Sequence, residues 1–279
     1  MSSITIDGCS NGFFSCSSII FMKIFEYFNT HKKIPDSVDC SQMYSIYKKD
    51  PNENLYQLFF KNNDMNIDFN GEIIFAIETF ELQFSNYKLI PFSKFKPFVD
   101  KYFSFNDIVI DTTEKLKLKY NIQFENTCGV FYRGNDKVKE TQKPPYNEVV
   151  EQAIFIKNNN PSIKFIVQTD EFEFLQYFLH HFPDAIYFDE IPVIHNQMTT
   201  VAYAYLNDPK KTDYILYYLA AINIFSKLKK LITTSGNGEM FIMFYRNNAD
   251  GLVQYLKLNE YIHGQKNNMF DPNNSVYWI

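Results

Sequence analysis

The chain has no apolar run approaching the ~20 residues a membrane helix needs, and no basic stretch leading into an apolar one at its start. Neither a membrane span nor a secretory signal is therefore expected, and the protein reads as soluble and cytoplasmic. Basic patches are missing too. The 27 Lys and Arg lie scattered among 32 Asp and Glu, for a formal net charge of -5, so nothing is arranged to neutralise a nucleic-acid backbone. Nucleic acid is excluded as the main partner. The four cysteines, Cys9, Cys16, Cys40 and Cys128, lack the close CxxC pairing of zinc or redox sites and read as free thiols. His180, His181 and His195 show no HExxH spacing, which makes them surface or packing residues, and no metal is expected. Ser10, Ser15, Ser17 and Ser18 lack a GxSxG elbow, which speaks against a hydrolase nucleophile and leaves their loop free to face a cleft. There is no Walker A lysine, GxGxxG fingerprint or kinase signature. The lone sequon, Asn273-Asn274-Ser275, carries no weight in a cytoplasmic protein.

What is present is a globular composition, 46% hydrophobic and 21% charged, in 279 residues: enough for one large domain or two modest ones. The 29 Phe and 20 Tyr, including Phe241, Phe244 and Tyr245, are read as core and not as a sugar-stacking platform. Ile4-Thr5-Ile6 reads as a strand, Gly8 to Ser18 as a turn, and Ile19 to Phe25 as the body of a helix. Strand-like segments also fall at 37–47 and 71–79. Ser104 to Asp107 matches a capping box, followed by Val109, Thr113, Leu116 and Tyr120 at helical spacing. Thereafter strands at 128–132, 164–169, 185–188 and 230–234 alternate with helices at 146–157, 171–182, 213–229 and 238–246. This order predicts a parallel sheet with crossover helices, whose ligands sit outside the carboxyl ends of the strands.

Three segments just past strand ends carry candidate chemistry. Arg133-Gly134-Asn135-Asp136-Lys137 offers a planar guanidinium suited to a diphosphate, with Gly134 permitting close backbone approach. Asp136 would orient Arg133 or meet a sugar hydroxyl, and Lys137 would add charge near a leaving phosphate. The plainer alternative is a solvated turn with a surface ion pair worth ~0 to 1 kcal/mol. Thr169-Asp170-Glu171 places two carboxylates before a helix, where ordinary capping would also want them. Thr233 to Glu239, with hydroxyls, glycines and free N–H groups at a helix start, forms a candidate anion site, against the alternative of a mere cap and turn.

Together these segments resemble the GDP-fucose-dependent fucosyltransferases of the α1,6 and nodulation-factor kind, and more broadly the protein O-fucosyltransferase-like group. The family's V-H-x-R-R-x-D-K-V stands here as Val130-Phe131-Tyr132-Arg133-Gly134-Asn135-Asp136-Lys137-Val138. Its A-T-D-D strand end is matched by Gln168-Thr169-Asp170-Glu171, and its last helix, strand and hydroxyl-rich loop by Ile224 to Lys227, Leu231 to Thr233 and Thr234 to Asn237. The opening GCSNGFFSCSS also looks like glycosyltransferase-like proteins of large DNA viruses.

The resemblance implies an α/β, GT-B-like fold of two Rossmann-like lobes with a cleft between them, residues 1–112 on the acceptor side and 113–279 on the nucleotide-sugar side. It implies inverting, metal-independent transfer of a sugar, fucose first, from a nucleotide diphosphate donor, GDP-linked first, to a glycan or protein acceptor, with no cofactor. Arg133, Asp136, Lys137, Thr234, Ser235, Gly236 and Asn237 would bind the donor. Arg133, Glu140 and Asp170 would be catalytic, and Gly134, Glu171 and Asn223 would shape the site. The family's His is Phe131 here and its second Arg is Gly134. Its base-associated Asp falls near Ala221, with Asn223 beside it, and Glu140 stands one position out of register with the family's carboxylate, where Thr141 falls. These departures keep a non-catalytic nucleotide-sugar or glycan-binding module as the alternative.

Overall fold

The computed structural model describes residues 3–67, 82–139, 143–195, 199–257 and 276–279. In the first half, β1 (Ser3–Thr5) pairs in parallel with β2 (Ser37–Asp39) across α1 (Phe13–His31). The short α2 (Leu55–Phe59) and β3 (Phe60–Lys61) follow, then α3 (Phe92–Tyr102), β4 (Ser104–Phe105), which pairs with β3, and α4 (Asp107–Lys119). The second half runs β5 (Thr127–Tyr132), α5 (Tyr146–Asn159), β6 (Lys164–Thr169), α6 (Phe172–His181), β7 (Ile186–Tyr187), α7 (Val201–Ala204) and α8 (Lys211–Lys227). It closes with β8 (Lys230–Thr233), α9 (Asn237–Arg246), β9 (Leu252–Lys257) and β10 (Val276–Trp278).

These last strands form one six-stranded sheet in the order β10-β9-β8-β5-β6-β7, parallel except for β10. The period-2 geometry of a strand decides its two faces. Cys128, Val130 and Tyr132 of β5, with Phe165 and Val167 of β6, pack against α5 and α6. Phe131, Ile166 and Leu231 point the other way, into a larger cluster that runs from Ile6 in the first half to Leu252. Buried on both faces, β5 has no exposed residue. Gly129 permits this packing, since a Cβ there would lie 2.7 to 2.8 Å from Leu231, Leu228 and Phe225.

The chain enters β6 on one side of β5 and β8 on the other, so β5 is the switch point of the sheet. Register brings the ends of β5, β6 and β8 side by side, with Tyr132 opposite Thr169 and Phe131 opposite Thr233. Each of the three candidate segments therefore emerges at the same sheet edge.

Several local boundaries differ from the sequence reading. Helix α1 begins at Phe13, not near Ile19, because Ser17 and Ser18 turn their hydroxyls back to the carbonyls of Phe13 and Phe14 and fit inside a helix. Asn106, not Ser104, caps α4; Ser104 belongs to β4. Strand β9 was not expected; it follows Gly251, whose φ of 67° suits glycine and whose Cβ would strike the Lys229 carbonyl. The strand reading at 71–79 and the sequon lie outside the described residues.

Phe241 and Phe244 are core, with Tyr245 packed against them. The three histidines noted above are exposed, and all four cysteines are free thiols. Among the described residues no helix is long and apolar enough to cross a membrane.

Candidate functional site

At the switch point the strand ends are stitched together by backbone-directed bonds. The Arg133 N–H donates to the Thr234 hydroxyl (3.1 Å), the Thr234 N–H to the Phe131 carbonyl (3.1 Å), and the Gly134 N–H to Asp170 Oδ1 (2.8 Å). The Arg133 guanidinium is gripped by two carboxylates, with Nε 3.1 Å from Asp170 Oδ2 and Nη2 3.1 Å from Asp136 Oδ1. A planar fork held at two points has little freedom left, so its position is largely set before any ligand arrives. Behind it, Asn135 donates its side-chain amide to the Asp170 carbonyl.

Glu171, fully buried, receives Lys143 Nζ at 2.7 and 3.0 Å and the Tyr146 hydroxyl at 2.7 Å. Its carboxylate lies where a side chain at 134 would start: an ideal Cβ on Gly134 would be 1.8 Å from Glu171 Oε2. Glycine at 134 is thus required by a neighbour's carboxylate and not by an unusual backbone angle.

These groups form one end of a cavity of about 420 Å³. Arg133, Asp136, Lys137 and Asp170 line it from the β5 and β6 side, and Asn237, Gly238 and Glu239 from the first turn of α9. The loop and first turn of α1, Ser10 to Ser15, supply a second wall. Tyr203 and Tyr205 at α7, with Lys211, Tyr214 and Tyr218 of α8, supply a third. Pockets of ~300 to 1,000 Å³ take small organic ligands, so this one is of suitable size.

Asn237 ties two of the walls together. It accepts from the Ser18 hydroxyl (2.8 Å) and donates to Ser15 Oγ (3.0 Å) and Gln83 Oε1 (3.1 Å). Gln83 also receives Lys137 Nζ (3.2 Å), and the Tyr87 hydroxyl takes the Gly236 N–H (3.0 Å).

Burial works against charge on Arg133, but Asp170 and then Asp136 outweigh it and hold its pKa well above the ordinary value. The guanidinium is permanently charged. Burial pushes Asp170 above the usual carboxylate range, with Arg133 and the Gly134 N–H pulling the other way. Burial likewise raises Glu239 against the opposing pull of Arg133.

Of the donor-binding candidates, Arg133, Asp136, Lys137 and Asn237 line the cavity, as does Asp170; Gly134 and Glu171 stand directly behind Arg133. Thr234, Ser235 and Gly236 do not line it. The Thr234 hydroxyl is spent on Arg133 and on Glu239 Oε1 (2.9 Å), and that of Ser235 on the Tyr255 carbonyl (3.1 Å) and on Gln254 Nε2 (3.0 Å). Asn223 is buried away from the cavity and donates to the Thr113 hydroxyl on α4 (3.0 Å). Glu140 lies outside the described residues.

The sequence reading included Glu239 in its third segment but gave it no role, and it missed Gln83 and the tyrosine wall. A glutamate in a helix's first turn is too common to notice, and only its 1% exposure marks it. Nothing local marks Gln83, which meets Asn237 across more than 150 residues.

No protein-family model matches the chain, and no curated protein is found similar to it in sequence. Solved structures do match. NodZ α-1,6-fucosyltransferase soaked with GDP-fucose superposes with a TM-score of 0.55 at 12% identity, over 100% of this chain and 98% of that one. The same enzyme co-crystallised with GDP gives 0.53 at 11% identity, over 92% and 94%. The fucosyltransferase NodZ from Bradyrhizobium gives 0.54 at 12% identity, over 91% and 95%. The chain therefore has a fucosyltransferase-like fold of helices and a largely parallel sheet along nearly its whole length.

Proposed function

We propose that the protein is a cytoplasmic glycosyltransferase that moves a sugar from a nucleotide diphosphate donor to a hydroxyl of a glycan or protein acceptor. A GDP-linked donor and fucose are the first choices, with inversion at the transferred carbon and no metal. Residues 1–112 would face the acceptor and 113–279 the donor. The observation that carries this reading is that Arg133 and the start of α9 line one cavity at the switch point of the sheet. The fold likeness to an enzyme solved with GDP and with GDP-fucose supports it.

In this reading Arg133, Lys137 and the backbone N–H groups opening α9 take the diphosphate. As the sugar–oxygen bond stretches, negative charge grows on the departing diphosphate, and donors already aimed there favour the transition state over the ground state. Because Arg133 is held by Asp136 and Asp170, little reorganisation accompanies that step. The acceptor hydroxyl attacks the anomeric carbon from the opposite face and gives its proton to a carboxylate, Asp170 or Glu140. Asp170 is better placed as the residue that orients Arg133, since both its oxygens face donors of the β5 turn. Lys137 and Asn237 share Gln83 as a partner, which links the cation to the α9 wall.

The test is calorimetric binding of GDP, UDP and their sugars to the wild type and to Arg133→Ala, followed by transfer and donor-hydrolysis assays. Arg133→Ala should lose binding by at least about 100-fold, the cost of ~3 kcal/mol for removing a charge-assisted bidentate contact, with circular dichroism unchanged. Near-normal transfer by that variant would refute the assignment. Tight donor binding with neither transfer nor hydrolysis would instead identify a non-catalytic nucleotide-sugar module.

A further inference from the structure

Glu239 is buried in the first turn of α9, yet it lines the cavity beside the groups that would hold a diphosphate. A carboxylate in that position opposes an anion, so it needs a physical account of its own. Its Oε1 accepts the Thr234 hydroxyl at 2.9 Å, and its Oε2 lies 2.7 Å from where a side chain on Gly236 would begin. Facing it are Arg133 and Lys137 from the turn after β5, Tyr218 from α8 and Tyr87 from the short turn at 87–89. Asp136 and Asp170 lie across Arg133.

At this end of the cavity two cations, Arg133 and Lys137, thus meet three carboxylates, Asp136, Asp170 and Glu239, one negative charge in excess. Adding a diphosphate deepens that excess in a site largely withdrawn from water, and a like charge disfavours the ionised form of a buried carboxyl. Asp136 and Asp170 have the guanidinium between them and are each in contact with it. Glu239 has no such salt bridge among the described ion pairs, and Oε1 is already an acceptor for Thr234, which leaves Oε2 as the oxygen to protonate.

We propose that Glu239 takes a proton from solvent onto Oε2 when a nucleotide diphosphate sugar binds, and then donates that O–H to a phosphate oxygen. The carboxyl becomes a hydrogen-bond donor to the diphosphate, and the proton returns to solvent when the diphosphate leaves. Burial raises the pKa of this group, with Arg133 the largest opposing influence. The inference rests on the cavity being a diphosphate site, as argued above.

The test uses the full chain and GDP- or UDP-linked sugars, whose diphosphate has no ionisation near neutral pH. Calorimetric titration at pH 7 in buffers of different ionisation enthalpy counts protons exchanged on binding. We expect uptake of about half to one proton by the wild type, with affinity rising as pH falls from 8 to 6, as linkage requires. Glu239→Gln should bind at pH 8 at least as well, with no proton uptake and a flat pH profile. Failure of every sugar nucleotide to bind would overturn the reading of the cavity itself. Binding with no uptake by the wild type, or uptake retained in Glu239→Gln, would overturn the role of Glu239 alone. If Glu239→Gln does not fold, a wild-type count of zero still overturns the role of Glu239. Asp170→Asn, which replaces the other carboxyl that burial raises, supplies the second variant: it should keep the uptake, and its loss there would overturn the assignment.

Discussion

Replacing Gly134 by alanine probes how tightly the strand ends are fitted. The new Cβ would start 1.8 Å from Glu171 Oε2, 2.6 Å from its Cδ and 2.9 Å from its Cβ. A small rotation of the carboxylate cannot relieve three such contacts, so Glu171 has to leave its place or the turn has to move. Leaving its place breaks the bonds from Lys143 and Tyr146, both made to a carboxylate, and one such charge-assisted bond alone is worth ~1.5 to 3 kcal/mol. Moving the turn instead lengthens the Gly134 N–H bond to Asp170 and disturbs the grip on Arg133. Either route costs about 3 kcal/mol, and at ~2 to 4 °C per kcal/mol the melting temperature should fall by roughly 6 to 12 °C. Urea unfolding of Gly134→Ala, Glu171→Ala and the double variant separates clash from other effects. With Glu171 cut back to alanine, the Gly134→Ala step should cost under ~1 kcal/mol, giving a coupling of about 2 kcal/mol. Equal cost in both backgrounds, or a single variant as stable as the wild type, would show that the close approach is not what demands glycine here.

Two further outcomes follow from neighbouring contacts. Asn237→Ala removes the bonds to Ser15 and Ser18 that join the start of α9 to α1, and the bond to Gln83. It should cost ~1 to 3 kcal/mol in urea unfolding and speed hydrogen exchange in the first turn of α1, whereas unchanged exchange there would deny the tie. At Cys9 the hydrogen bond from Cys16 is the main influence that lowers the thiol to about 6, and the same bond, ahead of burial, raises Cys16; burial raises Cys40 and holds Cys128 up at about 12. Since the thiolate is the nucleophile, iodoacetamide should modify Cys9 first, at a rate nearly flat from pH 7 to 8.5 by mass spectrometry. A rate climbing about tenfold per pH unit would refute the lowered thiol.

Strands β5, β6 and β8 were legible in the sequence because they are buried on both faces and separated by helical periods, whereas β9 was not expected. β6 runs over the residues expected, and β5 and β8 differ from expectation by a residue at one end. From that order alone, topology places the residues after each strand at one edge, and so Arg133, Asp170 and the 234–239 bend could be expected to meet. The start of α1 was illegible because serines that look like turn formers can hydrogen-bond within a helix: Ser17 donates to the Phe13 carbonyl and pairs with the Tyr44 hydroxyl.

What only the tertiary structure decided is the direction and company of individual side chains. Thr234 and Ser235 carry hydroxyls that a linear reading aims at a phosphate, but Glu239, Gln254 and Tyr255 claim them first. Gly134 stands where an arginine would be welcome by charge, and Glu171, adjacent to Asp170 in sequence, occupies the space. The succession of strands and helices along the chain is marked by short-range periodicity that each segment carries in itself. Whether a polar group faces ligand or protein is set by partners that are distant in the chain, and no local pattern encodes them.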